Sequence, residues 1–119
     1  MPLSNREAGY IWDMLQAARR LQQFTTDFDR EEYLESILIQ SAVERQLEIL
    51  GEAARRLSEA FLQEHPEIPW SDIIGLRNVI AHQYDDLDLQ QLWSVVTENI
   101  PELIQQLEPL LPDMPPDIE

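Results

Sequence analysis

The chain has 119 residues, the length of one domain, and its 23 acidic residues against 8 basic ones give a formal net charge of −15 at pH 7. All the basic residues are Arg and Cys is absent, which excludes lysine nucleophiles, thiol catalysis, disulfides and thiolate metal sites. A surface this acidic would repel a phosphate backbone over most of its area. Any chemistry on nucleic acid must therefore depend on a small local site or on a partner's surface.

The sequence also argues against metals, cofactors and membranes. His65 and His82, the two histidines, lie too far apart for a zinc motif, and we expect neither a metal nor another cofactor. No apolar run approaches the ~20 residues of a membrane span, and residues 1–5 lack the basic and apolar regions of a signal peptide. We therefore expect a cytoplasmic protein.

The first two predicted helices begin with the spacing of a capping box. Ser4 and Glu7 have this spacing, and a helical stripe of apolar residues follows them: Tyr10, Ile11, Met14, Leu15, Ala18 and Leu21. Asp29 and Glu32 repeat the spacing and begin the longest helical stretch, which we predict to end at about Glu64.

Three features bear on the continuity and the end of this second stretch. The pattern is compatible with a bend near residues 36–41. Gly51 lies inside the stretch, where it costs roughly 1 kcal/mol relative to Ala, and the close approach of another helix would explain its presence. The segment 65–70 is the clearest connector, because Pro66 disfavours helical geometry at the residue before it.

Two further helices are predicted after the connector. The third begins near Ser71 and fades in the acidic segment 85–88, and the last runs from about Asp88 to Leu111. Pro101 lies within the last helix and is expected to kink it or to divide it into two pieces. The fold is therefore predicted to be all-α, an up-and-down bundle of four to five helices.

The domain boundaries follow from this pattern. Residues 1–111 are predicted to form one helical domain. Residues 112–119 are acidic and rich in Pro, and we predict that they form a disordered tail.

The third helix carries the chemically distinctive residues. Arg77, Asn78, His82 and Tyr84 bring a guanidinium, an amide, an imidazole and a phenol into eight residues. On a straight helix Arg77 and His82 diverge by roughly 140°, so one chain does not easily bring both groups to a single atom. Two copies of the helix that cross about a two-fold axis would do so, and the chemistry therefore predicts a dimer.

The same residues carry a resemblance to a known family. The motif R-x-x-x-x-H-x-Y, with a polar residue after the Arg, resembles that of HepT-like members of the HEPN superfamily, the helical partners of minimal nucleotidyltransferases. The segments 47–54, 65–70 and 74–78 resemble further blocks of the family in the expected order. The resemblance extends over about residues 5 to 110 and implies a HEPN-like bundle that dimerises through the motif-bearing helix.

The resemblance implies a metal-independent endoribonuclease that is the toxin of a type VII-like toxin–antitoxin pair. In this reading His82 transfers protons between the ribose 2′-hydroxyl and the leaving oxygen. Arg77 holds the scissile phosphate, and Asn78 orients His82 or donates to the phosphate. The cognate nucleotidyltransferase is expected to neutralise the toxin through AMPylation of Tyr84. The implied partners are a second copy of the chain, this antitoxin and the RNA substrate.

Two other interpretations remain open on the residues alone. The chain can be a non-catalytic helical binding partner of a minimal nucleotidyltransferase, or a helical scaffold in which Arg77 pairs with one of the many acids and His82 is structural. The RNA that is cleaved and the number of AMP units on Tyr84 also stay open. The sequence also leaves open whether five other arginines line a dimer cleft: Arg19, Arg20, Arg45, Arg55 and Arg56.

Overall fold

The computed structural model describes residues 4–111, and for Tyr84 it describes the backbone alone. Within these residues the protein is all-α, with six helices and no strand. The first five helices are α1 (Asn5–Thr25), α2 (Arg30–Glu35), α3 (Ile37–Arg55), α4 (Glu59–Glu64) and α5 (Trp70–His82). The last, α6, consists of an α-helix over Leu89–Ser94, a π-helical segment over Val95–Asn99 and a second α-helix over Ile100–Leu107. Short 3₁₀ turns cover Tyr84–Asp86 and Glu108–Leu110. The predicted tail, residues 112–119, lies outside the described residues.

Side-chain caps explain where the helices begin. The Ser4 hydroxyl accepts a hydrogen bond from the Glu7 amide at the start of α1, and Asp29 and Glu32 form the predicted capping box of α2. Ser36 caps α3.

The stretch predicted as one helix from Asp29 to about Glu64 is in fact three helices. Its first break, at Ser36, falls within the segment 36–41 where the pattern is compatible with a bend, whereas the sequence does not predict the second break, at residues 56–58. The Ser58 hydroxyl accepts a hydrogen bond from the Phe61 amide and begins α4. The prediction of four to five helices is therefore too low, because two serines inside an apolar pattern act as caps.

The core lies between α1, α3, α5 and α6. The buried side chains of α1 meet those of α3 on one side and of α6 on the other, while α5 packs on α3. In α6 the Ile100 amide donates to the Val95 carbonyl, five residues back, immediately before Pro101. Pro101 has no amide hydrogen for a regular helical bond, so the wider π-helical turn accommodates the break that the sequence predicted there.

Candidate active site

The helix that carries the motif is fixed at its first turn and along its inner face. The indole of Trp70 is buried and donates to the His65 carbonyl at 2.9 Å, which ties the start of α5 to the connector before it. Ile73 and Ile80, two turns apart, are both buried in the core. These contacts hold α5 in one rotation about its axis, and this rotation decides where each motif side chain lies.

Helix α5 crosses α3 at Gly51. A Cβ atom placed on Gly51 would overlap the Cβ of Arg77, and it would lie 2.8 Å from the Arg77 Cγ and 3.1 Å from the Ile73 carbonyl oxygen. The close helix approach that the sequence suggested at Gly51 is therefore confirmed. The aliphatic stem of Arg77 occupies the space that any larger residue at position 51 would fill.

The Arg77 guanidinium is held by two neighbours. Its Nη2 lies 3.4 Å from the Glu52 Oε2, and its Nη1 donates to the Asn78 Oδ1 at 3.1 Å. Its Nε is buried and has no hydrogen-bond partner among the described residues. Only 22% of the side chain is exposed, so the guanidinium has a defined position instead of extending into solvent.

Glu52 is the centre of a cluster of arginines. Its Oε1 accepts hydrogen bonds from Arg55 Nη2 at 2.6 Å and Arg55 Nε at 2.9 Å, and Arg56 lies 3.9 Å away. The hydrogen bonds from Arg55, with the charges of Arg55, Arg77 and Arg56, hold the pKa of the Glu52 carboxyl below its ordinary value. Three guanidinium groups thus share one carboxylate, which leaves the cluster with a net positive charge.

Asn78 and His82 are both exposed and lie one turn apart on α5. At about 100° per residue they share a stripe with Ser71 and Gly75, which are also exposed. Arg77 instead faces α3. The structure therefore brings Arg77 and Asn78 into contact, but within one chain it leaves Arg77 and His82 on different sides of the helix. Tyr84 begins the 3₁₀ turn that follows α5, and its side chain lies outside the described atoms.

The Arg77 side chain lines a groove of about 310 Å³ between α1 and α3. Arg45 and Arg56 also line it, and three carboxylates balance these charges: Asp13, Glu48 and Glu52. Of the other arginines whose position was left open, Arg19 forms an ion pair with Glu108 at 2.9 Å. A single chain thus offers a groove of mixed charge beside Arg77.

Sequence reasoning identified Gly51 as a contact point but did not identify Glu52. The available signal was a glycine next to a carboxylate in the middle of an otherwise strong helix pattern. Because Glu52 and Arg77 are 25 residues apart, no local spacing rule connects them.

No group of three or more metal-ligating side chains is arranged to hold a metal ion in residues 4–111. Over the same residues, no helix has both the length and the apolar composition needed to cross a membrane.

Comparison with known proteins gives the family to which this all-α chain belongs. The model of the family described as "Ribonuclease HepT-like" matches residues 14–110, and the chain belongs to this HepT-like ribonuclease family. It is 36% identical, over 89% of its length and 98% of the relative's, to a Methanocaldococcus jannaschii protein named as a candidate RNase. It is 37% identical to the Thermococcus cleftensis protein named "Probable ribonuclease HepT", over 85% of this chain and 92% of that protein. No solved structure matches the chain significantly.

Proposed function

We propose that this protein is a metal-independent endoribonuclease and the toxin of a HEPN/nucleotidyltransferase toxin–antitoxin pair. The observation that carries the proposal is the arrangement of the motif on α5. Arg77 is held in place by Glu52 and Asn78, while Asn78 and His82 face solvent one turn apart. Membership of the HepT-like family supports the same conclusion.

The roles follow from the chemistry of the three side chains. Imidazole is the side chain that most often serves as a general acid or base, so His82 takes the proton from the ribose 2′-hydroxyl or returns one to the leaving 5′-oxygen. The guanidinium of Arg77 offsets the charge that develops on the phosphate. Asn78 orients His82 or donates to a phosphate oxygen. No metal is required, since the 2′-hydroxyl is an internal nucleophile adjacent to phosphorus.

The active unit in this proposal is a homodimer that meets through α5. The exposed stripe of α5 contains Ser71, Gly75, Asn78 and His82, and its small residues favour the close crossing of a second copy of the helix. The stem of Arg77 faces α3, but its guanidinium reaches Asn78 on this stripe. In the proposed dimer, His82 of one chain approaches the Arg77 guanidinium of the other at this edge, which one chain does not achieve alone.

Regulation is proposed to act through Tyr84. A minimal nucleotidyltransferase encoded beside the gene would AMPylate its hydroxyl and so place a bulky anion close to the end of α5, where it competes with RNA. Tyr84→Phe is then expected to cleave RNA and to resist neutralisation on co-expression with this antitoxin. Equal neutralisation of both forms would show that the antitoxin acts elsewhere.

The test of the proposed activity is incubation of the purified protein with total cellular RNA in EDTA. We expect cleavage by the wild type and by His65→Ala, the matched control at the other histidine, and none by His82→Ala or Arg77→Ala, all with unchanged circular dichroism. Equal cleavage by His82→Ala would reject the catalytic roles. Absence of cleavage by the wild type would favour the alternative, a non-catalytic binding partner of the nucleotidyltransferase.

A further inference from the structure

The orientation of Arg77 depends on a neighbouring helix as well as on its own. Its stem lies over Gly51, where a Cβ would displace it, and its guanidinium reaches the next residue of α3, Glu52, at 3.4 Å. Gly51 therefore provides the space and Glu52 provides the partner. With Asn78 on the other terminal nitrogen, both ends of the guanidinium have an acceptor that fixes its orientation.

Glu52 can perform this task without cancelling the charge of Arg77. Its carboxylate is held mainly by Arg55, through hydrogen bonds of 2.6 and 2.9 Å, and Arg56 adds a further positive charge at 3.9 Å. The contact with Arg77, at 3.4 Å, is longer than the hydrogen bonds from Arg55, so most of the carboxylate's charge is taken up by Arg55 while its Oε2 still gives Arg77 an acceptor in one direction. Arg77 is thus oriented by a carboxylate that two other arginines already neutralise, and its charge remains available to a phosphate.

We propose that Glu52 is a positioning residue for RNA cleavage, which fixes the Arg77 guanidinium in the orientation that meets the scissile phosphate. This inference rests on the proposed ribonuclease function. A group that acts through orientation contributes in the transition state, so its loss lowers kcat more than it changes KM.

The test compares Glu52→Ala with Glu48→Ala by steady-state cleavage of a short RNA. Glu48 lies one turn earlier on α3, lines the same groove and has the same charge, but it forms no ion pair with Arg77 among the described contacts. Both variants lose one negative charge, so KM for the anionic substrate falls or stays constant in both. We expect kcat to fall about 10- to 100-fold in Glu52→Ala alone, with a smaller loss in Glu52→Gln, which keeps an acceptor oxygen. Activity of Glu52→Ala equal to that of Glu48→Ala would overturn the inference, whereas the function would stand.

A second measurement does not depend on activity. Nuclear magnetic resonance of the arginine side chains detects the rotation of each guanidinium group, and the Arg77 signal is identified by its loss in Arg77→Ala. Hindered rotation in the wild type and in Glu48→Ala, with free rotation in Glu52→Ala and intermediate rotation in Glu52→Gln, supports the inference even for a protein that proves inactive on RNA. Equal rotation in all forms contradicts it. Glu52→Gln also serves if Glu52→Ala fails to fold.

Discussion

Among residues 4–111, Tyr33 has the largest fully buried side chain, and the hydroxyl of that side chain is unsatisfied. Its ring packs against Trp93 with centroids 5.2 Å apart, and its hydroxyl has no hydrogen-bond partner among the described residues. Burial, and to a lesser extent the charge of Glu44, raise the pKa of the Tyr33 phenol above its ordinary value of 10.0. The ring thus stabilises the junction of α2 with α6, while the hydroxyl makes no described hydrogen bond that would add to this stability.

The first stability prediction concerns this hydroxyl. Tyr33→Phe keeps the ring and is expected to leave the free energy of unfolding at pH 7 unchanged or to raise it by up to ~1 kcal/mol, because it removes an unpaired buried group. The native state favours the neutral phenol, so the wild type loses stability as the pH rises above the unfolded-state value of 10.0. Tyr33→Phe lacks this loss, and its advantage should widen there. Urea unfolding of both proteins at pH 7 and at a pH above 10.0 measures this difference in stability. A large destabilisation of Tyr33→Phe at pH 7 would indicate that the hydroxyl has a hydrogen-bond partner.

At the scale of elements, the crossing of α3 and α5 connects stability to the site. The absence of a side chain at Gly51 lets the two helices approach each other, and it also leaves the space that the aliphatic stem of Arg77 occupies. The buried side chains of Ile73 and Ile80, on the inner face of α5, also fix the position of this helix. A change in the crossing therefore moves Arg77, even if no proposed catalytic residue is altered.

Gly51→Ala tests this connection. Alanine favours a helix over glycine by about 1 kcal/mol, but the added Cβ overlaps the Arg77 side chain, and overpacking of this kind costs about 1–3 kcal/mol. We expect net destabilisation in urea unfolding together with reduced RNA cleavage. Gly9→Ala is the matched control in α1, because a Cβ there meets nothing within 4 Å, and it should stabilise the protein by ~0.5–1 kcal/mol. A Gly51→Ala variant as stable and active as Gly9→Ala would show that the crossing adapts without effect.

At the scale of the whole molecule, net charge and oligomeric state both affect how the proposed site can bind and cleave RNA. A net charge of −15 opposes RNA binding over most of the surface, and the groove beside Arg77 is itself of mixed charge. One chain also leaves Arg77 and His82 on different sides of α5. The separation of Arg77 and His82 favours a site that two copies of the chain complete.

Mixing two inactive variants tests whether the site is shared. If each site takes Arg77 from one chain and His82 from the other, an exchanged mixture of Arg77→Ala and His82→Ala contains mixed dimers with one intact site. Equal mixing makes about half of the dimers mixed, so about a quarter of the wild-type activity should return. Each variant alone, taken through the same exchange, is the control. No recovery in a mixture shown to exchange subunits would place each complete site within one chain.

The sequence alone determined the features that depend on nearby residues. Caps such as Ser4 and Asp29, the apolar stripes and the break at Pro101 follow from interactions within about one helical turn, and the resemblance at Arg77 and His82 gave the family that the comparison confirmed. Serines are tolerated both within helices and as caps, so the break at Ser58 was not predictable from residue type. Only the tertiary structure decided that Glu52 meets Arg77, since that contact depends on the rotation and crossing of two helices that the core packing sets.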